Sequence, residues 1–395
     1  MAPGVSEAKY DVIRYIYGLE PTANVTNLFR CEFPPDKNVD SPGITALQAV
    51  IVAGVLVNSL RMGLDFSYQV EHRRNIKFLI IGSLIQFLLV PAIGLFLVWL
   101  FKDLMTGFQQ MSILCITVCP GGLLSTGLAE KVGSSEGTKQ GQRMREKSAR
   151  ISTFTCFYSW IITPVLLMLV SMYIDSDLKI FTDLGRFYLA GLIGCFGFGL
   201  APITLGIFLR RRILSKLDVQ KIHKIQKLLV LLEFLLTIAN VVLVLPLAKR
   251  YTTKYIITLS VCLPFLLGIA GYFFAAICHS IMLKFNCAFN FKHKSSKIDP
   301  ITEYTTFALT AGIQNNRIAM IILMAWSFWS LLGHNCPMAF LHVAIGPALY
   351  GLSQILTGVI VVLTNNTRKR NAAAEVNEEI EITRIRRSSE ESLKK

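Results

Sequence analysis

Residues 309–320 read LTAGIQNNRIAM. Gly312 lies within a long apolar stretch, and Gln314, Asn315, Asn316 and Arg317 follow it almost at once. A helix lying in hydrocarbon has no use for four strongly polar side chains directly after a residue that weakens helices. The stretch predicts a helix that breaks within a membrane, its polar groups and freed peptide units packed against protein or lining a watery cavity.

The surroundings are those of a membrane protein. Of 395 residues, 53% are hydrophobic and only 16% charged, and the mean hydropathy is +0.51. A soluble domain carries charge on about a quarter of its residues. One bilayer span needs about 20 mainly apolar residues. Nine stretches qualify, near 43–63, 78–101, 111–130, 150–173, 187–209, 228–248, 255–282, 304–329 and 338–364. The expected fold is an all-α polytopic membrane domain over 43–364, with an extracytoplasmic segment at 1–42 and a cytoplasmic tail at 365–395.

The formal charge of +15 is topological. Alternate loops hold Arg73-Arg74 and Lys77, the run from Lys131 to Arg150, Arg210–Arg212 with Lys216 to Lys227, Lys284 to Lys297, and Arg368-Lys369-Arg370. The intervening loops hold far fewer: Lys102, Lys179, Arg186, Lys249, Arg250 and Lys254. Basic loops stay cytoplasmic, which puts the N-terminus outside, the C-terminus inside and nucleic acid out of consideration. An external N-terminus could use the sequon Asn24-Val25-Thr26 for glycosylation. No apolar signal-peptide core precedes it. Residues 132–147, rich in Gly, Ser and Gln, read as a flexible cytoplasmic loop, and the Glu/Lys/Ser-rich stretch 371–395 as a disordered tail. Cys115 and Cys119 share a helix, but no histidine or carboxylate completes a zinc set.

A second interruption sits in the third span, where residues 119–127 read CPGGLLSTG. Pro120 lacks an amide hydrogen, and Gly121 and Gly122 resist helix formation. One span earlier comes Gln86 in QFLLVPAIG (86–94), which resembles PFLLGIAG (264–271) one span before the other break. By the loop count these paired spans run in opposite directions. An inverted repeat with one broken helix per half points to an alternating-access carrier. Two broken helices crossing near the midplane gather oxygens suited to a small cation, and their N-termini suit an anion. A single Gln or Ser in such a helix is commonly glue between helices. Two broken segments in one chain outweigh that reading.

MGLDF (62–66), QFLLVP (86–91), CPGGLLS (119–125) and GIQNNRIA (312–319), with Thr163-Pro164 and the Gln354 region, together resemble the bile acid:sodium symporter family, solute carrier family 10. The resemblance runs from about residue 43 to 364. It implies a core domain and a panel domain, crossed broken helices, sodium as co-transported ion, and an organic anion such as a bile acid, a steroid conjugate or a small carboxylate as substrate. One sodium site would use Ser125, Thr126, Ser148 and Ser152; the other, Gln86 and Gln314 with the carbonyls of Ala311 and Ile313. Pro120, Gly121, Gly122, Asn315, Asn316 and Arg317 would face the substrate. Thr126 stands where the family usually has Asn, and Thr310 where it has the glutamate that serves both ion sites. Without that carboxylate a cation in a low-dielectric site is strongly disfavoured, so sodium coupling is expected to be weak or absent. Arg317 adds a positive charge to the same helix, and partly replacing the cation is the role expected of it; pairing with Glu233 or Glu303 is the alternative. The functional expectation is a secondary transporter, not an enzyme, in the plasma membrane, with the lipid bilayer and a small organic anion as its partners. A non-transporting receptor or scaffold on a degenerate carrier is the competing reading.

Overall fold

The computed structural model describes residues 41–66, 76–105, 107–122, 124–134, 138–171, 184–212, 219–251, 254–288, 300–330, 344–361, 363–364 and 367. The Asn24 sequon and the tail from 371 lie outside them. The described chain folds into helices. α1 is Ser41–Phe66. α2 runs Ile76–Leu84, widens to a π-helical stretch over Ile85–Leu89 and continues as Val90–Leu100. α3 is Gly107–Val118, α4 Leu124–Gly133 and α5 Thr138–Ser171. α6 runs Leu184–Leu192, π-helical Ile193–Leu200, then Ala201–Arg212. α7 is Val219–Tyr251, α8 Lys254–Ala288, α9 Pro300–Gly312 and α10 Asn316–Ser330. α11 spans Ala344–Val361.

Six of these helices are long and apolar enough to cross a bilayer: α1, α2, α5, α6, α8 and α11. The third and eighth expected spans are each divided between two half-helices, α3/α4 and α9/α10, so no single helix there has the length. In α7 the apolar stretch is the shorter Leu231–Val244. Large apolar side chains stand exposed on several helices, among them Phe96, Trp99, Leu228, Phe234 and Phe273, as a lipid-facing surface requires.

Both π-helical stretches end just before a proline, Pro91 and Pro202. In each, the residue before the proline donates five residues back: Val90 N–H to the Ile85 carbonyl, Ala201 N–H to the Phe196 carbonyl. The extra residue per turn rotates the helix, and in α2 it brings Gln86 to a position only 1% exposed. α7 packs on α1, and α1 packs on the C-terminal part of α6. There Gly63 and Gly206 meet so closely that a Cβ on Gly63 would stand 2.9 Å from the Gly206 Cα, and one on Gly206 3.0 Å from the Gly63 Cα. Small residues at such a seam are what membrane helices use to approach. α4 and α5 pack together, as do α8 and α9, and α9 also rests on α4 and α5.

The loop expected over 132–147 is largely helix, because α5 already begins at Thr138. Gln, Arg, Met, Glu and Lys at 142–147 are good helix formers, and Met144 is fully buried in a cluster with Leu128 and Leu309. Arg145 also reaches Glu130 of α4, 3.3 Å away. Local Gly and Ser content lost to tertiary packing.

Candidate functional site: a main-chain crossing flanked by hydroxyls and by arginine

Helix α3 stops at Val118, α4 starts at Leu124, and Pro120 and the two glycines occupy the gap. In the other half the gap is Ile313–Asn315; Thr310 and Gly312, read as part of the break, still lie in α9. The two gaps pair with each other as an isolated antiparallel bridge between Gly121 and Gln314. Gly122 N–H donates to the Ile313 carbonyl at 2.7 Å, and Asn315 N–H to the Pro120 carbonyl at 2.8 Å. Peptide groups released by each break therefore satisfy those of the other, which is how irregular backbone survives away from water. Gly122 must be glycine here, since a Cβ would lie 2.9 Å from the Gln314 carbonyl oxygen.

Side chains lock the crossing. The Gln86 amide donates to the Cys119 carbonyl at 2.9 Å and to the Gln314 side-chain oxygen. The Gln314 amide donates to the Ala311 carbonyl at 2.5 Å, and the Gln354 amide to the Gln314 carbonyl at 2.8 Å. Tyr350 Oη donates to the Gly312 carbonyl at 2.7 Å. Thr163 Oγ1, beside Pro164 in α5, donates to the Val118 carbonyl at 2.9 Å. The Ala311 and Ile313 carbonyls, read as cation ligands, thus each already hold one protein hydrogen bond.

On one flank lies a group of hydroxyls. Ser125 Oγ sits 3.2 Å from Ser148 Oγ and 3.4 Å from Ser152 Oγ, and Ser148 Oγ is 3.5 Å from Thr310 Oγ1. Ser125 also donates to the Gly122 carbonyl at 2.8 Å, and Thr310 to the Thr306 carbonyl at 2.8 Å. Thr126, next in α4, is 2% exposed. Three of the residues that the resemblance assigned to one sodium site, Ser125, Ser148 and Ser152, therefore converge. A Cβ on Gly121 would stand 3.4 Å from both Gln86 Oε1 and Ser152 Oγ, so the two expected ion sites adjoin across that glycine. Gln86 Oε1 is buried without a hydrogen-bond donor, an acceptor aimed at the site. As donors to a cation these oxygens have the right hardness but no charge, and the described residues contain no cluster of three His, Cys, Asp or Glu. The set has the chemistry of neutral oxygen ligands for a monovalent ion.

The substrate-facing candidates divide. Asn315 accepts from Ile318 N–H at 3.2 Å, capping α10, while its Nδ2 is buried with no partner. Asn316 turns to α11, donating to the Pro347 carbonyl at 3.2 Å. Arg317 points away from the hydroxyls. It donates to the Gly54 carbonyl of α1 at 2.7 Å, to the Glu233 carbonyl of α7 at 2.9 Å, and to Thr237 Oγ1. None of its hydrogen bonds reaches a residue of the hydroxyl group, which corrects the expectation that it takes the missing cation's place. The alternative pairing with the Glu303 or Glu233 carboxylate does not form either: Glu233 binds Arg61 at 2.5 Å, and Glu303 binds Lys147.

Lys147 and Arg61 are residues the sequence reading passed over. Lys147 directly precedes Ser148, is 7% exposed, pairs with Glu303 of α9 and lies 4.8 Å from the Phe78 ring centre. The signal was present for Arg61, a charge inside an otherwise apolar span. For Lys147 it was hidden in a run counted as loop.

Residues 50–252 match the sequence model of the sodium bile acid symporter family. The chain belongs to that family. The match takes in most of α1 and all of α2 to α7, including the first broken helix; the second broken helix lies beyond it, joined to the matched part by the Gly121–Gln314 bridge. No curated protein is matched to the chain. As a member of this family the protein is a multi-pass membrane transporter of bile-acid-symporter type.

Proposed function

We propose that the protein is a secondary carrier of an organic anion, of bile-acid, steroid-conjugate or small-carboxylate type, working by alternating access with little or no sodium coupling. The observation that carries this reading is the reciprocal main-chain pairing of two broken helices, 2.7 and 2.8 Å long. Such a crossing leaves helix ends facing a common centre, where they can meet a solute near mid-membrane. In this reading nine spans divide into a panel of α1, α6 and α7 and a core of the remaining helices, with the N-terminus outside at the plasma membrane. The distribution of basic loops supports that orientation.

The weak coupling is supported by the hydroxyl group itself. Ser125, Ser148, Ser152 and Thr310 offer neutral oxygens to an ion, and among the described residues no carboxylate hydrogen-bonds to this group to offset the ion's loss of hydration. Sodium then gives little driving force, and the substrate gradient itself drives exchange. Uptake of taurocholate, estrone sulfate and pyruvate by the reconstituted protein, compared in sodium and choline media, is the test. Saturable uptake of at least one probe, equal in both media, is expected. A steep sodium requirement overturns the coupling claim, and no flux of any solute favours a receptor or scaffold.

A further inference from the structure

Arg317 is 7% exposed, yet its three hydrogen bonds go to two carbonyls and a hydroxyl. Gly54 makes the seat possible, because a Cβ there would stand 3.3 Å from the Arg317 Cζ and Nη1. Glu233 lies between two arginines and serves them with different atoms. Its carboxylate takes Arg61 Nη1 at 2.5 Å, and its main-chain carbonyl takes Arg317 Nη2 at 2.9 Å. Arg61 and Glu233 belong to α1 and α7, which pack together, whereas Arg317 belongs to the broken-helix pair across from them. A buried guanidinium whose hydrogen bonds all go to neutral acceptors gains strongly from a carboxylate or sulfate that bonds it directly.

We infer that Glu233 is a resident counter-anion: its carboxylate holds Arg61 beside Arg317 in the empty carrier and yields to the acidic group of the transported anion. This inference rests on the organic-anion carrier reading above. When substrate arrives, its carboxylate or sulfonate takes the arginine fork, and Glu233 keeps or changes its arginine accordingly. When the substrate leaves, Glu233 again neutralises the charge, which lets the empty carrier return across a low-dielectric interface. Substrate and Glu233 compete for the same cations, so the resident carboxylate lowers apparent affinity and speeds the unloaded return step.

The test uses the full chain in proteoliposomes, with taurocholate, estrone sulfate and pyruvate as radiolabelled probes. Glu233→Gln is expected to lower KM for a transported probe about tenfold, the equivalent of about 1.4 kcal/mol. It should also depress net uptake relative to anion exchange by a similar factor, because the empty return slows. Glu233→Asp keeps the charge and recovers most of the native KM. Arg317→Gln raises KM about tenfold or more, the loss of one charge-assisted contact. If Glu233→Gln does not reconstitute, Glu233→Ala, which also removes the resident anion and leaves both arginines in place, carries the same two expectations. A native carrier that transports a probe, with KM and the net-to-exchange ratio within twofold in these Glu233 variants, overturns the counter-anion role and leaves the carrier reading standing. A native protein that moves none of the probes overturns both.

Discussion

On one flank of the crossing, hydroxyls from α4, α5 and α9 bond to one another and to main-chain carbonyls. On the other flank, α10 extends a guanidinium into a seat built by α1 and α7, beside an Arg61–Glu233 pair. The two flanks share one backbone junction and differ in where formal charge is placed. Neutral oxygens can cradle a cation but cannot offset its dehydration, whereas a guanidinium attracts anions from a distance and holds them by directed bonds. The comparison teaches that one backbone junction can carry neutral oxygens on one side and formal charge on the other.

The sharpest way to break the comparison is to remove what the flanks share. Gly122→Val drives a side chain into the Gln314 carbonyl and is expected to abolish uptake, with about 1–3 kcal/mol of destabilisation from overpacking; thermal unfolding in detergent and flux in vesicles measure both. The next test gives the neutral flank a charge. Thr310→Glu places a carboxylate within the hydroxyl group and should make uptake sodium-dependent by about tenfold or more, since one such contact readily exceeds 1.4 kcal/mol. Sodium titration of the variant reads the gain.

Smaller effects probe the supports. Lys147→Met strands the Glu303 carboxylate, whose side chain is 24% exposed. The expected loss is about 1–3 kcal/mol, below the range for fully buried pairs, and Lys147→Met/Glu303→Gln should regain part of it in the same unfolding measurement. Ser125→Ala removes one hydroxyl bonded to the Gly122 carbonyl and two neighbours. It should cost about 1 kcal/mol and leave uptake equally indifferent to sodium; an added loss confined to sodium medium would show that the neutral flank drives transport after all.

Both breaks were legible because their causes are local: Pro120-Gly121-Gly122 and Gly312 with its polar successors announce themselves within a few residues. The hydroxyl residues were legible through family resemblance. Pairings between distant segments were not. Arg61 meets Glu233 across 172 positions and Lys147 meets Glu303 across 156, and a lone charge in a sequence does not name its partner. The direction of Arg317 was equally hidden, because it depends on the space left by Gly54 on another helix. The π-helical stretches were also invisible, as one additional residue per turn barely alters an apolar run, although it decides which way Gln86 faces.

The seam between Gly63 and Gly206 has a mechanical corollary. Two backbones in direct touch cannot slip past one another by part of a turn, because the next residues along either rod bear bulk that would jam. Helix α1 and the end of α6 are therefore fixed in register, and the Gly54 carbonyl belongs to the same helix as the seam. A displacement of α1 relative to α10 would lengthen the 2.7 Å bond from Arg317 to that oxygen, so the seam ties the position of two helices to a single guanidinium.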